Sequence, residues 1–150
     1  MLRRIIAFVV AVAVMVVLGS GAQTVFVQQA WSAAAGAAGG GAPAAIPFAD
    51  RIAWAAHDLL GILAPYGALA SITLLLSLLS AGALARYAGR RILIFGVVSA
   101  IGILVLFILV KVATGTVGIF GVRGPFGHAA QMAVALVAGM LFAQLTRSRA

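Results

Sequence analysis

Few side chains in this sequence are able to do chemistry. They are His57, Asp58, His128 and Lys111, with Arg123 and the amide of Gln131 beside them. There is no cysteine, so disulfides, thiolate metal sites and cysteine nucleophiles are excluded. Two histidines on different helices at similar depth suit the axial positions of haem b, which makes a bis-histidine haem protein one alternative. A zinc site needs more ligands than two histidines and two aspartates on differing faces supply. His57 and Asp58 are chain neighbours, and neighbours on a helix diverge by about 100°, so they do not form a catalytic pair by adjacency. An enzyme needs an acid, a base or a nucleophile at hand. This inventory points to no catalytic residue, no metal and no cofactor. His57, Asp58, His128 and Gln131 form a candidate polar cluster on one side of the protein.

The elements that carry these residues are set by the solvent. Of 150 residues, 65% are hydrophobic and 8% are charged, against about 25% charged in an ordinary soluble domain. Such a chain cannot cover a water-facing surface, so its main solvent is lipid. The net charge of +8 would suggest nucleic acid in a soluble protein. Here the charges sit in short clusters between apolar runs, which makes them topology signals, and no nucleic-acid partner is expected. The length allows a single domain.

A hydrocarbon core of about 30 Å needs roughly 20 helical residues. Charge-free segments over 5–26, 66–85, 92–110 and 128–145 meet that length. They predict an all-α, four-helix transmembrane bundle. Arg3, Arg4, Arg86, Arg90, Arg91, Arg147 and Arg149 fall on one side with no acid among them. Asp50, Arg51, Asp58, Lys111 and Arg123 fall on the other. The positive-inside rule then puts both termini in the cytoplasm of a bacterium, in a multi-pass inner-membrane protein. The first segment has a second reading. Arg3 and Arg4, an apolar run and the small residues Ser20 and Ala22 resemble a secretory signal peptide. The hydrophobicity continues past them to Trp31, which favours a retained helix.

Residues 32–47 are low in complexity and lack a hydrophobic period, which predicts a flexible outer linker. Residues 48–63 then place Phe48, Ile52, Ala56, Leu59 and Leu63 on one helical face. Asp50, Arg51, Trp54, His57 and Asp58 occupy the other. This pattern predicts an outer amphipathic interfacial helix, with Pro47 in its first turn. Pro65 denies a hydrogen bond to the Gly61 carbonyl, so a break or kink is expected before the second span. One long kinked helix is the alternative.

Helices in lipid associate by close packing and interhelical hydrogen bonds. Each span offers a seam for this: Ala7 and Ala11; Thr73, Ser77 and Ser80; Gly96 and Ala100; Ala135, Gly139 and Ala143. The hydroxyls of the second seam would line a polar path if several copies formed a transporter or channel. Bonding back to their own helix is the simpler role.

The outer loop over 114–127 has glycine at every third position from Gly115 to Gly127. Its segment TVGIFG resembles the potassium-channel filter, but an extra residue interrupts the pattern and Lys111 and Arg123 would repel cations. Gly121, Gly124, Lys111 and Arg123 instead suggest an outer site for an anion or lipid headgroup, built from backbone N–H groups and a guanidinium. The leading expectation is a small accessory or helix-packing protein without catalytic activity. It would bind the lipid bilayer and other membrane proteins, as a homo-oligomer or a subunit of a complex.

Overall fold

The computed structural model describes residues 1–115 and 124–147. The described elements are helices α1 (Leu2–Ala38), α2 (Phe48–Ala88), α3 (Arg91–Thr114) and α4 (Pro125–Leu145). All four are long and apolar enough to span a membrane. With 24 and 21 residues, α3 and α4 reach about 36 and 32 Å, close to a hydrocarbon thickness of about 30 Å. With 37 and 41 residues, α1 and α2 reach about 55 and 60 Å, far more than a bilayer requires.

That excess length corrects two expectations. The stretch over 32–47 is not a free linker from end to end. Residues 32–38 continue α1, because alanine is the strongest helix former and needs no periodic apolar face to stay helical. The chain then folds back onto that last turn. The Ala44 amide donates to the Ser32 carbonyl at 2.9 Å, and the Ser32 hydroxyl donates to the Ala44 carbonyl. Gly36 is buried under this return, where a Cβ would strike the Ala42 carbonyl. The amphipathic segment over 48–63 is likewise no separate interfacial element. It runs without a break through Pro65 into the second span as α2. A proline inside a membrane helix is tolerated where neighbouring helices and local adjustment re-satisfy the freed backbone.

Gly89 ends α2 with φ +64 and the chain enters α3 two residues later. Only a residue without Cβ turns this tightly at no steric cost. Pro125, whose missing N–H is no loss in a first turn, opens α4. Successive helices run antiparallel and pack on their chain neighbours, and α1 closes the ring on α4. The core holds Met15, Leu74, Ile103 and Phe107 with Ala11, Ala135, Ala138 and Ala143.

Small residues set the helix separations. Gly139 lies against the Phe95 carbonyl and Ser99, Gly96 against Leu136 and Met140, and Gly102 under Ser77. At the arginine-rich end, side chains from other helices terminate α4, whose own last turn has no basic residue. Arg3 donates to the carbonyls of Leu145 at 2.8 Å and Arg147 at 2.6 Å. Arg91 donates to the Thr146 hydroxyl at 2.7 Å and lies 5.3 Å over the Phe95 ring. Cations at a helix C-terminus satisfy its last carbonyls and complement its dipole.

Candidate functional site

The polar centre of the bundle is Gln131. Its side chain is 2% exposed. Its Oε1 accepts from the Tyr66 hydroxyl at 2.8 Å and its Nε2 donates to the Gly19 carbonyl at 2.9 Å. One amide thereby ties α1, α2 and α4 together. Gly19 makes room for it, since a Cβ there would stand 2.6 Å from the Tyr66 hydroxyl and 2.9 Å from Oε1 of Gln131.

From this level α1 carries Ser20, Thr24, Gln28 and Ser32 at intervals of four, the spacing of one helical face. The first three are buried. The Thr24 hydroxyl donates to Oδ2 of Asp58 at 2.9 Å, with the Ser20 carbonyl at 3.1 Å as its alternative acceptor. Gln28 Nε2 donates to the Arg51 carbonyl at 3.0 Å, and Arg51 Nε donates to the Ile46 carbonyl at 3.1 Å. Trp31 and Trp54 meet edge to face with centroids 5.5 Å apart. The polar side of α2's first turns is therefore the side that packs on α1. Of the expected apolar face, Phe48, Ile52, Ala56 and Leu63 point away from the bundle and Leu59 is half-buried against its core. The reason lies in the partner stripe. Had the apolar face turned inward, buried Gln28 would have lost its acceptor and Thr24 would have kept only the Ser20 carbonyl, and a buried group left unsatisfied costs about 1–3 kcal/mol. Thr24→Val keeps the shape and deletes the donor. It is expected to lower unfolding stability by about 1 kcal/mol, read from denaturation in mixed micelles followed by circular dichroism.

The expected polar cluster does not assemble as one site. Asp58 and Gln131 join the interior network at different levels. His57 is exposed on α2, nine positions from Tyr66, or about 13 Å along the axis. His128 Nδ1 lies 3.0 Å from the Gly124 carbonyl, and its ring packs edge-on against Phe107. The two histidines thus face different surroundings. Among the described residues, no group of three or more His, Cys, Asp or Glu side chains converges as a metal site. Lys111 and Gly124 are exposed at the ends of α3 and α4. Gly121, Arg123 and most of the glycine-rich loop lie outside the described residues.

Of the seam residues, Ala7, Ala11, Gly96, Ala100, Ala135, Gly139 and Ala143 are buried between helices. The second seam divides. Ser77 is buried above Gly102 and Thr73 is half-buried. Ser80 is exposed and donates back to the Leu76 carbonyl at 2.9 Å. The buried stripe of α2 is centred on Ala70, Leu74 and Ala81, and Ser80 points about 100° away from Ala81. The reading of the sequence passed over Tyr66, Gly19 and the α1 stripe. The stripe's fourfold spacing was a usable signal; the Gly19 carbonyl, a backbone group, left none.

Comparison of this chain with protein-family models, with curated proteins and with solved structures finds no match. The chain is a bundle of four helices with membrane-spanning dimensions, held by small residues and by the interhelical hydrogen bonds of Gln131, Thr24 and Gln28.

Proposed function

We propose that this chain is a non-catalytic, multi-pass protein of the bacterial inner membrane, with both termini in the cytoplasm. It acts as a packing or accessory subunit that binds another membrane protein, a second copy of itself, or lipid. The observation that carries this reading is the outer part of the α1–α2 hairpin. From the Gln131 level, Gly19 to Ala38 is about 28 Å of helix, whereas Pro125 to Gln131 is about 9 Å. The hairpin thus runs about 20 Å past the start of α4. If α3 and α4 match the hydrocarbon, this extension stands outside it. There Phe48 is 77% exposed and Leu60 73%, on a rigid surface that water does not favour. The interior network supports the non-catalytic part, because Thr24, Gln28, Tyr66 and Gln131 are spent on one another, on Asp58 and on backbone carbonyls, which leaves only the small hydroxyls of Ser20 and Ser99 without a partner among the buried side-chain atoms described.

Purification in a mild detergent is expected to yield a homo-oligomer or a stoichiometric complex. A Phe48→Glu, Ile52→Glu double variant should lose it while keeping its helical circular dichroism. A wild-type protein that is strictly monomeric and retains neither polypeptide nor lipid would remove the reading.

A further inference from the structure

A groove of about 750 Å³ opens between α1 and α2 at the arginine-rich end and is floored by α3 and α4. That volume falls within the roughly 300–1,000 Å³ typical of ligand sites. Its walls are apolar, with Phe8 from α1, Leu75 and Leu79 from α2, and Phe95 and Phe142 beneath. Its rim carries Arg4, Arg86 and Arg91. Arg91 is engaged with Thr146 and Phe95. Arg4 and Arg86 are exposed, and no hydrogen bond or ion pair engages the guanidinium of either among the described residues. The sequence holds two acidic side chains, Asp50 and Asp58, and both belong to the hairpin at the opposite end. The rim charges therefore have no side-chain carboxylate to meet.

We propose that this groove binds an anionic phospholipid. Its phosphate sits against Arg4 and Arg86, and one acyl chain lies along the groove. Three features of the groove call for this occupant. Guanidinium groups engage phosphate oxygens in bidentate fashion. On α2 the lining runs from Leu75 to Arg86, about 16 Å of helix, which is close to half of a hydrocarbon core of about 30 Å. The groove is thus as deep as one leaflet, with its charge at the headgroup level. Finally, Gly82 leaves the wall of the groove open, since a Cβ there would meet only the Phe95 ring, at 3.9 Å. The site deepens the lipid-binding part of the reading above and is independent of its protein-binding part, because Phe48 and Ile52 lie at the other end of the molecule.

The test is native mass spectrometry of the full chain in mild detergent. It is titrated with phosphatidylglycerol, with phosphatidylcholine of the same chains, and with glycerol phosphate, which has the charge but no chain. Phosphatidylglycerol is expected to be retained at a concentration at least tenfold below phosphatidylcholine, and glycerol phosphate neither to bind nor to compete. An Arg4→Gln, Arg86→Gln double variant should erase the tenfold preference. Gly82→Leu, which fills the groove without changing charge, should weaken both lipids. Arg90→Gln, at the same end but outside the lining of the groove, should keep the preference. Equal retention of the two lipids by the wild type would overturn the proposal. So would an Arg4→Gln, Arg86→Gln variant that keeps its preference, or an Arg90→Gln variant that loses it to the same extent.

Discussion

Gly139→Val is expected to destabilise the bundle by at least about 3 kcal/mol, the upper part of the range for overpacking a closed interface. Gly139 faces the Phe95 carbonyl and the Ser99 hydroxyl, and a Cβ built there strikes both. A flexible side-chain tip would move aside at little cost. A backbone carbonyl inside α3 moves only with its helix. Any such shift also disturbs the stacking of Phe95 on Phe142, whose centroids are 5.8 Å apart, and the Arg91–Thr146 bond at the same end. Lipid does not drive the helices back together, because it solvates a separated apolar face as well as a packed one. Gly61→Ala is the matched control. Nothing lies within 4 Å of a Cβ at Gly61, so the substitution should be neutral or stabilise by up to about 1 kcal/mol through helix propensity. Equilibrium unfolding in mixed micelles, followed by far-ultraviolet circular dichroism, separates the two. A Gly139→Val protein with wild-type stability would mean that α3 and α4 do not approach as closely as described.

This contrast also shows why some of the fold is legible from residue order and some is not. The four helices of membrane-spanning length follow from long apolar segments without charge, a pattern that reports on the solvent a helix prefers. The extent of α1 does not. Alanine and glycine over 33–38 carry no period, and the return of Ala42–Ala44 onto Gly36, which seals that turn, is a contact between segments. The faces of α2's first turns invert for a related reason. A single amphipathic helix reveals that it has two faces, but only its neighbour decides which one is buried. Here the neighbour is α1's polar stripe, whose Thr24 and Gln28 engage Asp58 and the Arg51 carbonyl and leave Phe48 and Ile52 outside. Ser20, small enough to mimic a signal-peptide cleavage position, is a buried member of that stripe. Gln131 was visible as a polar residue of the expected cluster, three positions after His128 in an apolar span. Its partners were not, because one is a backbone carbonyl and the other, Tyr66, follows a proline at what reads as a membrane boundary.

That network yields the second large effect. Gln131→Leu roughly preserves volume and deletes both interhelical hydrogen bonds at once. The Gly19 carbonyl keeps a place in α1's own ladder, so its loss costs little. The Tyr66 hydroxyl, in a side chain 4% exposed, is left with no acceptor, and an unpaired buried hydroxyl costs about 1–3 kcal/mol. Gln131→Leu is therefore expected to cost about 2 kcal/mol. Tyr66→Phe, which leaves Oε1 of Gln131 without its donor, should cost about 1 kcal/mol. The double variant removes the donor and the acceptor together. It should cost about 2 kcal/mol instead of the additive 3, a coupling of about 1 kcal/mol within the range measured for hydrogen bonds between membrane helices. The same unfolding assay reads all three proteins. Strict additivity would show that Tyr66 and Gln131 do not share a proton across the bundle, and that α2 and α4, which otherwise scarcely touch, are held to each other only through α1 and α3.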